Sequence, residues 1–307
     1  MIKIASGGGE NSLVSAAAIK YLQLLLADRT SLRGHPAIVY LNAYGAGRVG
    51  SNSSTSQFTV WGLDGYDAMA TVAEGVAMTE TALTNALKTA TWARKGLRRD
   101  LSDDVRSLDG TGQLNPMRLA MDGFGSAMVT LTNLIAALMS GFSVQKGTTG
   151  VAFSHDLWLL GKGALIEAGV PGPYLSMLHL NHFADWINDL ESRGGLTQWR
   201  PASADMQILR GPGFQGTYDG VDVFSTNRVP TSGSDYVSGM FGRGAVGYVE
   251  QEVIYGPEAI ILLENGPIAV EIQRTTGGAG ASQILTHYRV GAAEIEDGRG
   301  VGLLAAG

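Results

Sequence analysis

Asn115 to Gly141, NPMRLAMDGFGSAMVTLTNLIAALMSG, is the stretch on which the reading of the whole chain turns. Met117, Met121, Phe124, Met128, Leu131, Ile135 and Leu138 recur at alternating four- and three-residue steps, which puts them on one stripe of a helix. Asn115 suits the N-cap, Pro116 the first helical position, and Gly141 a stop. At about 1.5 Å per residue such a rod runs roughly 35–40 Å, the width of a small domain. Phe124 to Phe142 carries no charge, so a membrane span has to be weighed. Ser126, Thr130, Thr132, Asn133 and Ser140 interrupt the apolar run, however, and Arg118 and Asp122 stand at its start. These polar groups favour a spine helix packed on a sheet.

Composition narrows the class. The 307 residues suffice for one large or two ordinary domains with a real core. Hydrophobic residues make up 45% and charged ones 16%, a globular but thinly charged chain whose surface suits burial against partners. Forty-three glycines imply many loops and close backbone crossings. A formal charge of −6 gives no global reason to wrap DNA or coat an acidic membrane. There is no cysteine, which excludes disulfide frameworks, thiolate zinc sites and cysteine nucleophiles and fits a reducing cytoplasm. The opening MIKIASGGGEN has no apolar signal core, so neither secretion nor anchoring is expected.

Residues 1–36 read as an arm. Glu10 to Asp28 is expected to be helical, with Leu13, Ala17, Lys20/Tyr21, Leu24 and Leu25 along one side and glycine-rich breaks before and after it. Such a short amphipathic helix buries little alone and needs something to lie on. AIVYLNAY, 37–44, is an expected strand, followed by Gly45-Ala46-Gly47-Arg48-Val49-Gly50, a literal G-x-G-x-x-G. A dinucleotide site needs a helix to open at those glycines, and here a polar tract and a β-type run with Phe58, Val60 and Trp61 follow instead. The stretch is therefore read as the tip of a long exposed β-hairpin. Ala86 to Leu101 is strand-like. Its basic run, Arg94, Lys95, Arg98 and Arg99, is answered at once by Asp100, Asp103 and Asp104, which favours salt-bridged surface over a nucleic-acid patch. Beyond the spine, Ser154 is expected to cap a helix ended by Gly169, and a second helix covers about His179 to Ser192. Strands are expected around Ile208, Val221–Ser225 and Ala245–Val253. A last long hairpin runs from PIAVEIQRTT through a tip at 277–280 to SQILTHYRVGAAEI.

Chemistry is hard to find. Ser154, His155 and Asp156 carry the letters of a hydrolase triad, but adjacent residues cannot converge on one another's reactive atoms, and helix capping explains them. His179, His182 and Asp185 share a helical face and could ligate a metal, yet no third histidine or His-Glu-x-x-His pattern accompanies them, so a packed or solvated face is favoured. Gly161-Lys162-Gly163-Ala164 lacks the remaining letters of a phosphate loop. No catalytic residue, cofactor or metal site is expected.

The order of parts is arm, glycine-tipped hairpin, strand, spine helix, α/β region, long hairpin. It resembles the major capsid proteins of tailed bacteriophages, a fold shared with encapsulin shells. The likeness is carried by Ala73-Glu74-Gly75 with ATWARKGLRRDLSDDV ahead of the spine, by FQGTYDGVDVFSTNRVP (214–230) with GMFGRGAVGYVEQEV (239–253), and by HYRVGAAEIEDGRGV (287–301). The resemblance implies an α+β capsid fold: an N-terminal arm at 1–36 and an extended loop at 37–75. A peripheral domain at 76–150 and 250–290 holds the spine helix 115–141, and an axial domain covers 151–249 and 291–307. It implies a virion structural protein, not an enzyme, that assembles as hexamers and pentamers into an icosahedral shell. That shell would enclose double-stranded DNA without sequence-specific binding and without a membrane. A separate scaffolding protein, a portal and a decoration protein are the implied partners, with assembly in the host cytoplasm. Subunit contacts are expected at Gly45, Gly47, Arg48, Gly50, Phe58, Trp61, Arg94, Arg98, Arg99, Asp103, Thr276 and Gly278. The rival readings are an encapsulin-like compartment shell and, from another class, a nucleotide-binding enzyme using Gly45–Gly50.

Overall fold

A computed structural model of the chain describes residue 32 and residues 35–42, 55–61, 85–102, 116–210, 213–251, 260–265, 267–274 and 281–307. In chain order, β1 is Ile38–Asn42, β2 Thr55–Trp61, β3 Asn85–Thr91 and β4 Ala93–Ser102, ahead of the spine helix α1, Pro116–Ala137. Then come β5 (Gln145–Gly147), α2 (His155–Glu167), β6 (Tyr174–His179), α3 (Leu180–Ser192), β7 (Arg200–Pro201) and α4 (Ala204–Arg210). The rest is strand: β8 Phe214–Tyr218, β9 Val221–Thr226, β10 Thr231–Ser232, β11 Asp235–Phe241 and β12 Val246–Glu250. β13 Ile260–Asn265, β14 Ile268–Arg274, β15 Ala281–Glu294 and β16 Gly300–Ala306 complete the chain.

The spine forms where its stripe says it should. Phe124, Met128, Leu131 and Ile135 are buried, each position contributing roughly 1.5–3 kcal/mol of apolar transfer. The side chains of Met117 and Met121 lie outside the described residues. At the far end the stripe shifts by one. Leu138 is half-buried and Met139 takes the core position, because the helix tightens into a 3₁₀ turn over Leu138–Ser140, closed by Gly141 N–H on the Leu138 carbonyl at 2.9 Å. Thr130 and Thr132 donate their hydroxyls to the carbonyls four residues back at 2.9 and 3.1 Å, so these polar side chains are satisfied within the helix itself. Asp122–Ser140 is long and apolar enough to cross a bilayer, but half of it is buried within the fold, and one face packs on protein.

Two sheets meet on this rod. The first has the order β1-β12-β15-β14-β13, with β4 also pairing with β15. The spine lies against β14 and β15, and the fit is close: a Cβ added at Gly123 would stand 2.1 Å from Thr286 Oγ1. The second sheet has the order β5-β16-β11-β6-β9-β8-β7, with β10 on β11. One core runs continuously from Ile268, Ile284 and Tyr288 of the first sheet across the spine to Leu175, Met177 and Phe224 of the second. On its other face the second sheet carries α2 and α3, whose Trp158, Leu165, Trp186 and Leu190 form a separate core with Val223, Met240 and Leu303.

Several expectations change. Ile208 sits in α4, a helix, and not in a strand. The 37–44 and Thr55–Trp61 strands do not pair as one hairpin. β1 runs parallel to β12, while β2 pairs antiparallel with β3, Thr55 opposite Thr91 and Trp61 opposite Asn85. Both choices bury apolar residues: Ile38 enters the spine core, and Phe58 with Ala90 packs on Val249 and Ile295. β5 belongs to the second sheet and β12 to the first. The C-terminal hairpin is as expected, with Ile268–Arg274 opposite Ser282–Tyr288.

Candidate functional site

The histidine groups are structural. Ser154 caps α2 as expected, its side chain accepting from Leu157 N–H at 3.3 Å. His155 stacks on Trp158; its Nδ1 accepts from Trp186 Nε1–H at 3.2 Å, and its Nε2 faces the Tyr218 hydroxyl at 3.4 Å. Burial, with the Arg193 charge adding to it, holds its pKa below the ordinary histidine value. Arg193 clamps Asp156 at 2.6 and 2.9 Å and Asp189 at 2.9 Å, and its hydrogen bonds lower the Asp156 carboxyl.

His182 is fully buried and belongs to a relay across the second sheet. Because carbonyls can only accept, Nε2 carries the proton and donates to the Ala306 and Ala305 carbonyls at 3.1 and 3.3 Å. Nδ1 then accepts from Ser238 Oγ at 2.7 Å, and that oxygen accepts from His179 N–H at 2.9 Å. This network holds the neutral ring, and burial lowers its pKa. His179 stacks on Tyr236 and caps α3, accepting from Asn181 N–H. Among the described residues no group of three His, Asp or Glu side chains could hold a metal. Lys162 pairs with Asp219.

The Gly45–Gly50 stretch of the dinucleotide reading lies outside the described residues.

Of the expected contact residues, Gly45, Gly47, Arg48, Gly50, Asp103, Thr276 and Gly278 lie outside the described residues, as does the Trp61 side chain. Phe58 is buried at the base of the β2–β3 ribbon, against β12. The arginines are tied into their own sheet. Arg94 donates to His287 Nδ1 at 2.9 Å, and the opposite ring nitrogen donates to buried Glu271 at 2.9 Å. Arg98 holds Asp100 through two bonds of 2.9 Å, which lower that carboxyl, and Arg99 pairs with Asp122 of the spine. Yet β4 is mostly exposed, and among the described residues no strand pairs with its far edge. A second surface escaped sequence reasoning: α2 exposes Leu159, Leu160 and Ile166 at 42%, 60% and 57%. The signal was present, since a helix apolar on every side has more than one apolar neighbour.

No family model and no curated protein matches this chain. Solved structures do. A cyanophage Pam1 capsid subunit superposes at a TM-score of 0.56 with 12% identity, covering 99% of this chain and 96% of its own. The SrpI encapsulin of Synechococcus elongatus gives 0.56 at 11% identity over 99% and 92%. A structure from Mycobacterium phage Che8 gives 0.55 at 16% identity over 82% and 84%. At these identities the likeness concerns the fold: a spine helix with one sheet at its side and a second at its end is the architecture that phage capsid subunits and an encapsulin share with this chain.

Proposed function

We propose that this chain is a major capsid protein: a virion subunit that assembles as hexamers and pentamers into an icosahedral shell enclosing double-stranded DNA. The observation that carries the reading is the superposition on capsid subunits over essentially the whole chain. The surfaces support it. The β2–β3 ribbon is held to the body at one end by Phe58 and Ala90, and β4 presents an exposed edge that a neighbouring copy can cover. The apolar side of α2 offers a contact within a ring of second sheets. In this reading the ribbon and residues 62–84 between its strands reach over the next subunit, and the first sheet with the spine forms the peripheral part. The second sheet then forms the axial part. The role is mechanical, with an acidic wall of net charge −6 that encloses DNA without gripping it. A separate scaffolding protein, a portal and a decoration protein are the partners of such a shell, which forms in the host cytoplasm.

The encapsulin match, with equal coverage of this chain, favours a second reading, a compartment shell for protein cargo. Purified particles treated with nuclease separate the two. Protected duplex DNA of uniform length is expected for a capsid, and nucleic-acid-free particles holding a protein would overturn that reading.

A further inference from the structure

The chain crosses between the two sheets twice, side by side. β11 of the second sheet leads into β12 of the first through residues 242–245, and β15 of the first leads into β16 of the second through residues 295–299. Phe241 stands opposite Gly300 at one end of these crossings and Val246 opposite Glu294 at the other. Between them Gly242 N–H donates to the Arg299 carbonyl at 3.0 Å and Ile295 N–H to the Ala245 carbonyl at 2.8 Å. The joint is thus a two-chain ladder. β1 enters the first sheet beside it, with Ile38 opposite Val246. His35, three residues earlier, reaches back to the second sheet. Its Nδ1 accepts from Ala37 N–H at 3.2 Å, so Nε2 carries the proton and donates to Asp222 Oδ2 of β9 at 2.9 Å. The ring also meets the edge of Phe224 at 5.9 Å, and its side chain and that of Asp222 are only 4% and 16% exposed.

We infer that His35 with Asp222 is a clasp that fixes the angle between the two sheets. A two-chain ladder by itself can bend and twist about its own line. The apolar core beneath it resists separation more than sliding, because apolar contact is non-directional. The clasp adds an attachment off that line, since β9 lies two strands from β11, about 10 Å at the usual strand spacing. Opening it would strip a mostly buried carboxylate of a charge-assisted hydrogen bond. His35 is therefore a positioning residue, and its role does not depend on whether the chain forms a shell.

The protein has no cysteine, so spin labels can be placed on introduced thiols alone. Lys95→Cys on β4 and Ser232→Cys on β10 put exposed labels on different sheets. Their strand partners, Tyr288 and Asp235, each lie roughly 20 Å along a strand from the joint. Ser232→Cys with Arg200→Cys keeps both labels on the second sheet as a control. Labelled full-length chains are diluted into excess unlabelled protein, and distances are read by double electron–electron resonance. With the clasp intact, the pair on different sheets is expected to give one narrow distribution. His35→Ala should broaden it about twofold while the control pair stays unchanged. Asp222→Ala opens the clasp from the other side, is expected to do the same, and carries the test if His35→Ala does not fold. An unchanged distribution between the sheets in either folded variant, or equal broadening of both pairs, would overturn the inference.

Discussion

At the scale of single residues, Gly123 fits closely against Thr286, where an added Cβ would lie 2.1 Å from the hydroxyl oxygen. Gly123→Ala should cost about 1–3 kcal/mol by overpacking. Thr286→Ala removes the offending atoms, so the double variant should recover most of that loss in a denaturation cycle. Additive losses would mean that the helix does not approach the sheet as described. The histidines predict a response to acid. His155, His179 and His182 all have pKa values lowered in the fold, chiefly by burial, against about 6.5 unfolded. The unfolded chain therefore binds more protons as pH falls through about 6.5, so their contribution is present above that value and lost below it. The melting temperature of the subunit should drop by several degrees between pH 7.5 and 5.5. His182→Gln should lower stability at neutral pH and flatten that dependence, as followed by calorimetry at each pH.

At the scale of elements, the spine was legible because its stripe is long and unbroken. Leu131→Asp should cost several kcal/mol in chemical denaturation, since it leaves a charge unpaired between two sheets, and wild-type stability in that variant would contradict the packing. The capped helix α2 and the terminal hairpin were legible for the same reason, a local signal that agrees with the final partner. Ile208 was not, because the four apolar letters Ala204, Met206, Ile208 and Leu209 fit a short strand and a seven-residue helix equally well. Nor could the β2–β3 pairing be read. AIVYLNAY and SQFTVW are nearer in sequence, but β1 finds β12 some two hundred residues away, a choice made by burial of Ile38 and beyond the view of local turn chemistry. Within the basic run, Arg98 and Arg99 are ion-paired, with Asp100 and with Asp122, whereas the exposed apolar side of α2 drew no reading from the sequence. Replacing residues 62–84 with a short glycine–serine turn should leave subunits with unchanged circular dichroism and abolish stable particles. Normal particles from that variant would remove the ribbon from the account.

At the scale of the molecule, two sheets share one helix, and among the described residues the edge of β4, the ribbon and the outer side of α2 are left uncovered. A chain with 16% charged residues has few means of keeping such surfaces solvated, which supports the proposed assembly from its own copies. Ring contacts through α2 should be the weaker partners of this set when made polar, and Leu160→Glu is expected to yield folded subunits that sediment as single chains. The most direct test is electron microscopy of the purified full-length protein, alone and co-expressed with its neighbouring genes. Closed particles of uniform diameter, built from rings of five and six, are predicted. A monodisperse single chain at every salt, pH and concentration, with no particle under any of them, would contradict the central claim.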